Sequence, residues 1–287
     1  MAKYSIKDLE NFTKIKAHTL RIWEQRYQLL TPERTDTNIR YYSDKDLKKI
    51  LNINLLYNNG LKISKIAKLS EQEIFDKASE ILRSGHSEQD VINKFVEFVL
   101  ELDEESIQSL LKELLEEIGM EQLFTDILIP LLEKIGVLWQ VDAISVSHEH
   151  FLSNLLREFL IVQIGQISSS RLLKGKIVLF LREDEKHELS LLFYYYLLKK
   201  KGYDCFYLGQ SVPMRDLQTF VAEIQPDYMV TSVIAELTEK DFKQFIKKLG
   251  EFFDLDKIFM GGIQLLNYQA LIPKSINQVQ KLEDFKL

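Results

Sequence analysis

The chain has 287 residues, 46% of them hydrophobic and 28% charged, with 5 Pro and 11 Gly and a formal net charge of −6. That composition is the one expected of a largely helical, soluble, globular protein, and the length suggests about two domains of roughly 150 residues or three smaller ones. The single cysteine, Cys205, excludes an internal disulfide framework and fits a reducing cytoplasm. With no apolar stretch at the N-terminus and every apolar run cut by charges, neither export nor a membrane partner is expected.

The charge is unevenly spread. Residues 1–70 hold 14 Lys plus Arg against 7 Asp plus Glu, whereas the remainder holds 23 against 36. A basic head on an acidic body implies that only the head meets a polyanion.

Within that head, Thr19 to Tyr27 has helical periodicity. Leu20, Trp23, Tyr27 and Leu30 fall on one apolar stripe, and His18, Arg21, Ile22 and Gln25 project from the other side. Pro32 is expected to end this helix, Thr35 to Asn38 to turn, and Ile39-Arg40-Tyr41-Tyr42 to return as a short extended segment before Ser43-Asp44 starts a new helix. Helix, basic wing, helix is a DNA-reading arrangement.

These residues resemble the winged helix-turn-helix of MerR-type transcription regulators. Tyr4-Ser5-Ile6 matches the opening of the family's first helix, Thr19-Leu20-Arg21 its recognition helix, and Arg40 with Tyr42 the close of its wing. Trp23, Glu24, Arg26 and Tyr27 resemble the CarH/LitR branch. The resemblance implies a double-stranded DNA operator as partner, with His18, Thr19, Arg21, Gln25 and Arg26 towards the groove. Lys14, Lys16, Arg34, Arg40, Tyr41 and Tyr42 would then position the head on the phosphates. Lys14 and Lys16 replace a turn glycine and a serine N-cap, and loss of such a cap costs about 0.5 to 2 kcal/mol.

Ser43 to about Asn59-Gly60 reads as a helix with a good C-terminal stop, and Leu61 to Leu69 as a short one with Ile63, Ile66 and Leu69 inward. From Glu71 to Ser168, helices are predicted over 71–84, 87–101, 103–118, 120–138 and 147–167, with Ser87 and Asp103 as N-caps. They are read as a four-helix bundle with a linking helix. After Ser168-Ser169-Ser170, strands at 176–181, 204–208, 228–232 and 257–260 alternate with helices at 188–201, 214–224 and 239–251. This predicts a parallel, Rossmann-like (flavodoxin-like) sheet with ligands beyond the strand C-termini. The expected architecture is therefore multidomain α and α/β: a winged helix-turn-helix over 1–72, a helical bundle over 73–170 and a sheet domain over 171–287.

Glu185 to Ser190, Ser232 to Ile234, and Gly261-Gly262 fall at strand ends. A histidine there is able to give a ring nitrogen to a metal with a carboxylate orienting the other nitrogen, and paired glycines admit a closely approaching ligand. With 41 residues between Ser190 and Ser232 and 26 between Ile234 and Gly261, the arrangement resembles a cobalamin-binding fingerprint. The resemblance implies a cobalamin, adenosylcobalamin foremost, with His187 as lower cobalt ligand, Glu185 as its partner, Ser232 at the nucleotide base and Gly261-Gly262 as the seat of the nucleotide tail. Ser190 and Ile234 depart from the fingerprint's glycine and leucine, and Tyr194, Tyr195 and Tyr196 add bulk. Trp139, nine residues, then Glu149-His150 resembles the helical cap over the cofactor's upper face in the CarH/LitR branch. Gln140 stands where some light-responsive members place a histidine.

The function expected is that of a cytoplasmic, non-enzymatic regulator, a homodimer or homotetramer on DNA, with a cobalamin-sensing C-terminal half. Two alternatives stay open: a cobalamin-independent regulator signalled by dimerisation or an antirepressor-type protein partner, and a methyltransferase-like cobalamin enzyme.

Overall fold

The computed structural model describes residues 4–34, 40–83, 88–140, 144–168, 174–279 and 284–285. These form two compact units, residues 1–155 and 156–287, and the division falls inside a helix rather than at the serine run.

In the first unit, α1 (Ile6–Thr13) starts with a reciprocal cap: Ser5 Oγ accepts the Asp8 N–H and the Asp8 carboxylate accepts the Ser5 N–H. It stops where Lys14 turns left-handed at φ +62°, a conformation that a glycine adopts without strain. Next, α2 (Ala17–Tyr27) buries Leu20 and Trp23. This helix ends at Gln28, left-handed at φ +51°, four residues before Pro32. Leu30 is thus buried from the following loop and is not on the helical stripe. The wing is a two-stranded antiparallel ribbon, β1 (Glu33–Arg34) against β2 (Arg40–Tyr41). The expected turn at Thr35 to Asn38 and the start of the return strand at Ile39 lie outside the described residues.

A second reciprocal cap, Ser43 with Asp46, opens α3 (Asp44–Asn58), whose Leu47, Ile50, Leu51 and Ile53 fill the head's core. At roughly 1.5–3 kcal/mol per buried aliphatic side chain, this face holds the head together. The next helix, α4 (Ile63–Ile66), is a single turn, shorter than the predicted 61–69, with Ile66 buried.

The helical region comprises α5 (Glu71–Arg83), α6 (Glu88–Glu101), α7 (Glu104–Gln122), α8 (Ile129–Gln140) and α9 (Val146–Gly165). Asp103 caps α7 through the Ser106 N–H, as its position suggested; Ser87 lies outside the described residues. Gly119, at φ +76°, kinks the run where two separate helices are predicted, and a widened π-helical turn over Leu123–Leu128 leads into α8. That turn immediately precedes Pro130, whose ring in a regular helix would crowd the carbonyl four residues back.

The second unit is built on five parallel strands in the order β4-β3-β5-β6-β7: β3 (Lys176–Arg182), β4 (Asp204–Val212), β5 (Tyr228–Ser232), β6 (Ile258–Gly261) and β7 (Asn277–Val279). The intervening helices are α10 (Leu189–Lys200), α11 (Met214–Ile224) and α12 (Glu239–Gly250). Strand residues alternate between two cores. Val178, Phe180, Met229, Ile258 and Met260 pack against Leu217 and Val221 of α11 and Phe242 and Leu249 of α12. Ile177, Leu179, Leu181, Val230 and Phe259 pack against Leu191 and Leu198 of α10 and against Phe285. Burial on both faces explains why the central strands read as continuous apolar runs.

Candidate functional site

On the head, Arg21, Gln25, Arg26 and His18 are exposed on α2, as are Lys14 and Lys16 in the preceding turn, and Thr19 is half-buried. Ile22, between them, is also exposed. The lost serine cap of α2 has a substitute: the Glu10 carboxylate accepts the Ala17 N–H at 3.0 Å and the Lys16 ammonium at 3.1 Å. The hydrogen bond from Ala17, then that from Lys16, lowers the Glu10 pKa.

The wing is tied to α2 through Glu24. Its carboxylate accepts the Tyr42 hydroxyl at 2.9 Å and pairs with Arg40 Nε at 3.3 Å. Tyr41 donates its hydroxyl to Glu33 across the ribbon, and Arg34 is exposed. Tyr42 is only 1% exposed, and burial first, then the bond to Glu24, pushes its pKa far above the ordinary phenol value. The phosphate-positioning role expected of Tyr42 is therefore corrected: its hydroxyl is spent inside the head, where it fixes the wing. Glu24, not singled out as a site residue, is the anchor; the Trp23-Glu24-Gln25-Arg26-Tyr27 run already held the signal.

In the second unit the strand ends converge as predicted. Glu185 is fully buried in the loop after β3. One of its carboxylate oxygens accepts the His187 N–H at 3.1 Å and lies 2.6 Å from His187 Nδ1; the other accepts the Ile234 N–H at 3.0 Å and the Ala235 N–H at 2.7 Å. Burial alone would raise its pKa, but these hydrogen bonds outweigh it and hold the group at about 2. The His187 side chain is 61% exposed. An anionic partner on Nδ1 places the ring proton there and makes Nε2 the nitrogen with a lone pair to give. Next in the chain, the buried Glu188 accepts hydrogen bonds from Arg157, Gln210 and Tyr207, locking the same loop.

Ser190 and the fully buried Ser232 face each other, Oγ to Oγ at 3.1 Å. At Gly261 a Cβ would lie 2.3 Å from the Tyr194 hydroxyl oxygen; at Gly262, where φ is +106°, it would lie 2.2 Å from the Val233 carbonyl oxygen. The glycine pair is thus required by the protein's own packing. Tyr194 contacts Phe285 edge-on at 4.9 Å, and Phe285 stacks on Phe259 at 5.6 Å. Burial pushes the Tyr194 hydroxyl up to about 12.

Trp139, 47% exposed at the end of α8, and Glu149-His150, paired at 2.6 Å in the first turn of α9, belong to the first unit. His148 bonds Ser145 at 2.8 Å. Among the described residues no group of three or more His, Cys, Asp or Glu forms a metal cage. No helix of the described residues is long and apolar enough to cross a membrane.

Comparison with known proteins agrees with this anatomy. Residues 4–73 match the MerR HTH family regulatory protein model, and residues 91–162 the B12 binding domain model. The chain thus carries a MerR-type helix-turn-helix segment followed by a B12-binding-type domain. It is 26% identical over 290 residues to the HTH-type transcriptional repressor CarH of Myxococcus xanthus, covering 98% of this chain and 96% of that protein. To CarA of the same organism it is 25% identical over 244 residues, 84% of this chain and 80% of the relative. The monomethylamine corrinoid protein of Methanosarcina barkeri shares the fold, with a TM-score of 0.51 at 16% identity, over 62% of this chain and 86% of that one.

A cobalamin is the group this class implies, and the residues fit it in one half. His187, oriented by Glu185, is a suitable axial nitrogen donor. The tail seat does not fit as it stands, because Tyr194 fills the space beside Gly261 and Ser232 is closed over by Ser190.

Proposed function

We propose that this chain is a cytoplasmic, non-enzymatic transcription regulator that binds a pseudo-palindromic DNA operator as a homodimer or homotetramer and whose sheet domain takes a cobalamin through His187. A two-fold operator requires two heads. Arg21, Gln25 and His18, with Thr19 and Arg26 beside them, would enter the groove, and Lys14, Lys16, Arg34, Arg40 and Tyr41 would meet phosphates.

The observation that carries the cobalamin reading is the Glu185–His187 pair, with both carboxylate oxygens committed and the imidazole turned outward. Ser190, Ser232, Ile234, Gly261 and Gly262 would take the tail, and Trp139, Glu149 and His150 keep the cap role that the family resemblance implies. When bound, a cobalamin would supply a cobalt centre to which His187 could give a ring nitrogen; Gln140 in place of a second histidine argues against a bis-histidine light route. The cofactor would act by favouring one oligomer through differential affinity.

One observation favours a second reading. Tyr194 against Gly261 means that a nucleotide tail would have to displace this ring, and without displacement the chain is a cobalamin-independent regulator signalled by a protein partner. The methyltransferase reading is set aside because residues 4–73 match a regulator's head. The deciding experiment is the visible spectrum of the protein after dark incubation with adenosylcobalamin and desalting. Retained corrinoid, with a spectrum altered in His187→Ala, supports the sensor; no retained corrinoid supports the second reading.

A further inference from the structure

In the first unit, the end of α1, the start of α6 and α8 line an open pocket of about 230 Å³. Ile92, Pro130, Val137 and Leu138 give it an apolar wall, Lys14 and Lys134 bring two ammonium groups to it, and the exposed Glu133 also lines it. Lys134 is the unusual member. Its amine donates to the Asn93 amide oxygen at 2.7 Å, and among the described residues no carboxylate lies within ion-pair distance of it. Burial first, then the Lys14 charge, pushes its pKa down to about 8. A buried cation is costly unless an anion compensates it. Here the compensation is a neutral amide, and a second cation makes the deficit larger.

We propose that this cavity is a binding site for a small organic anion, its charged head received by Lys14 and Lys134 and its short apolar body lying against Ile92, Pro130, Val137 and Leu138. The volume is below the roughly 300 Å³ at which drug-sized pockets begin, which suits a metabolite-sized ligand. Lys14 is the left-handed residue that joins α1 to α2. This coupling rests on the proposed contact of Lys14 with a DNA phosphate: an anion on Lys14 withdraws that cation, so anion and DNA oppose each other's binding, and by linkage they do so reciprocally.

The test is calorimetric titration of the full chain with hexanoate and with hexyl phosphate, and with hexanol as the uncharged control. The expected result is saturable binding of at least one anion, none of hexanol, and an affinity lowered tenfold or more in Lys134→Met. Val137→Trp, which fills the cavity from an exposed position and keeps both lysines, should weaken the anion as well, so a folding defect in one variant does not decide the outcome. The head group preferred assigns the ligand as carboxylate or phosphate. Equal binding of hexanol, no anion binding, or anion binding unchanged in both variants overturns the site. Anion affinity unchanged by saturating nonspecific duplex DNA overturns its coupling to the head.

Discussion

The Tyr42 hydroxyl of the wing donates to the Glu24 carboxylate of α2 at 2.9 Å and, with the Arg40–Glu24 ion pair at 3.3 Å, joins the helix that presents side chains to the groove with the ribbon that flanks it. Removing the hydroxyl leaves a half-buried carboxylate with one fewer donor, at a cost of about 1–3 kcal/mol. Tyr42→Phe is therefore expected to lower the head's stability in urea and to weaken DNA binding with the salt dependence unchanged, because no phosphate contact is lost. Arg40→Ala should differ, flattening the slope of log K against log salt by about one phosphate's worth. If Tyr42→Phe flattened that slope as well, its hydroxyl would be meeting the DNA backbone after all.

The cap of α2 is borrowed from α1. Glu10 accepts the N–H of Ala17 in the first turn of α2, where a serine at position 16 would have accepted that of His18 or Thr19. Glu10→Ala should lower the melting temperature of the chain, and Lys16→Ser in the same background should restore it by putting the cap back in place. Failure of Lys16→Ser to rescue would mean that Glu10 acts mainly through its charge. A thermal unfolding series on the four combinations separates the two.

What the sequence shows and what it hides follow from local against distant causes. The caps at Ser5, Ser43 and Asp103 and the apolar runs of β3, β5 and β6 are local signals, and the structure has each of them. The end of α2 is not legible, because Gln28 adopts a left-handed conformation that its type does not announce, while Pro32 announces a stop that comes too late. Strand β7 escaped notice because Asn277-Gln278-Val279 is a short edge strand with two polar residues, formed by pairing with β6. Tyr42 looks like a surface contact from its place after Arg40, and only the fold buries it. The meeting of Glu185 with Ile234 and Ala235 is legible in outline, since both segments follow strands of one parallel sheet; the hydrogen bonds themselves span 49 and 50 positions.

The Gly261–Tyr194 contact offers a test independent of any ligand. Alanine at Gly261 would set its Cβ 2.3 Å from the tyrosine hydroxyl, and overpacking of this kind costs typically about 1–3 kcal/mol. Tyr194→Phe in the Gly261→Ala background should recover part of the loss, because the ring carbon behind the hydroxyl would still be 3.0 Å away. A double-mutant cycle by chemical denaturation gives the coupling directly. No coupling would show that the glycine serves something other than this ring. A Tyr194→Leu variant that retains more corrinoid than the parent chain would identify the ring as the obstacle in the tail seat.

Lys134 makes the stability of the chain depend on pH in a definite direction. With the folded amine at about 8 and its ordinary value at 10.5, the unfolded chain holds a proton across that window that the folded chain has given up. Stability therefore rises as pH increases from 8 to 10.5, and at neutral pH nearly the full deficit is present, on the order of 3 kcal/mol at about 1.36 kcal/mol per pKa unit. Lys134→Met should be more stable than the parent at neutral pH, and the gap should close as pH approaches 10.5. Denaturation midpoints measured across that range check both statements. Parallel pH profiles for parent and variant would mean that the amine titrates normally and that the cavity imposes no electrostatic penalty. A hexanoate-induced gain in midpoint at neutral pH, present in the parent and absent in the variant, would show the penalty being relieved by an anion.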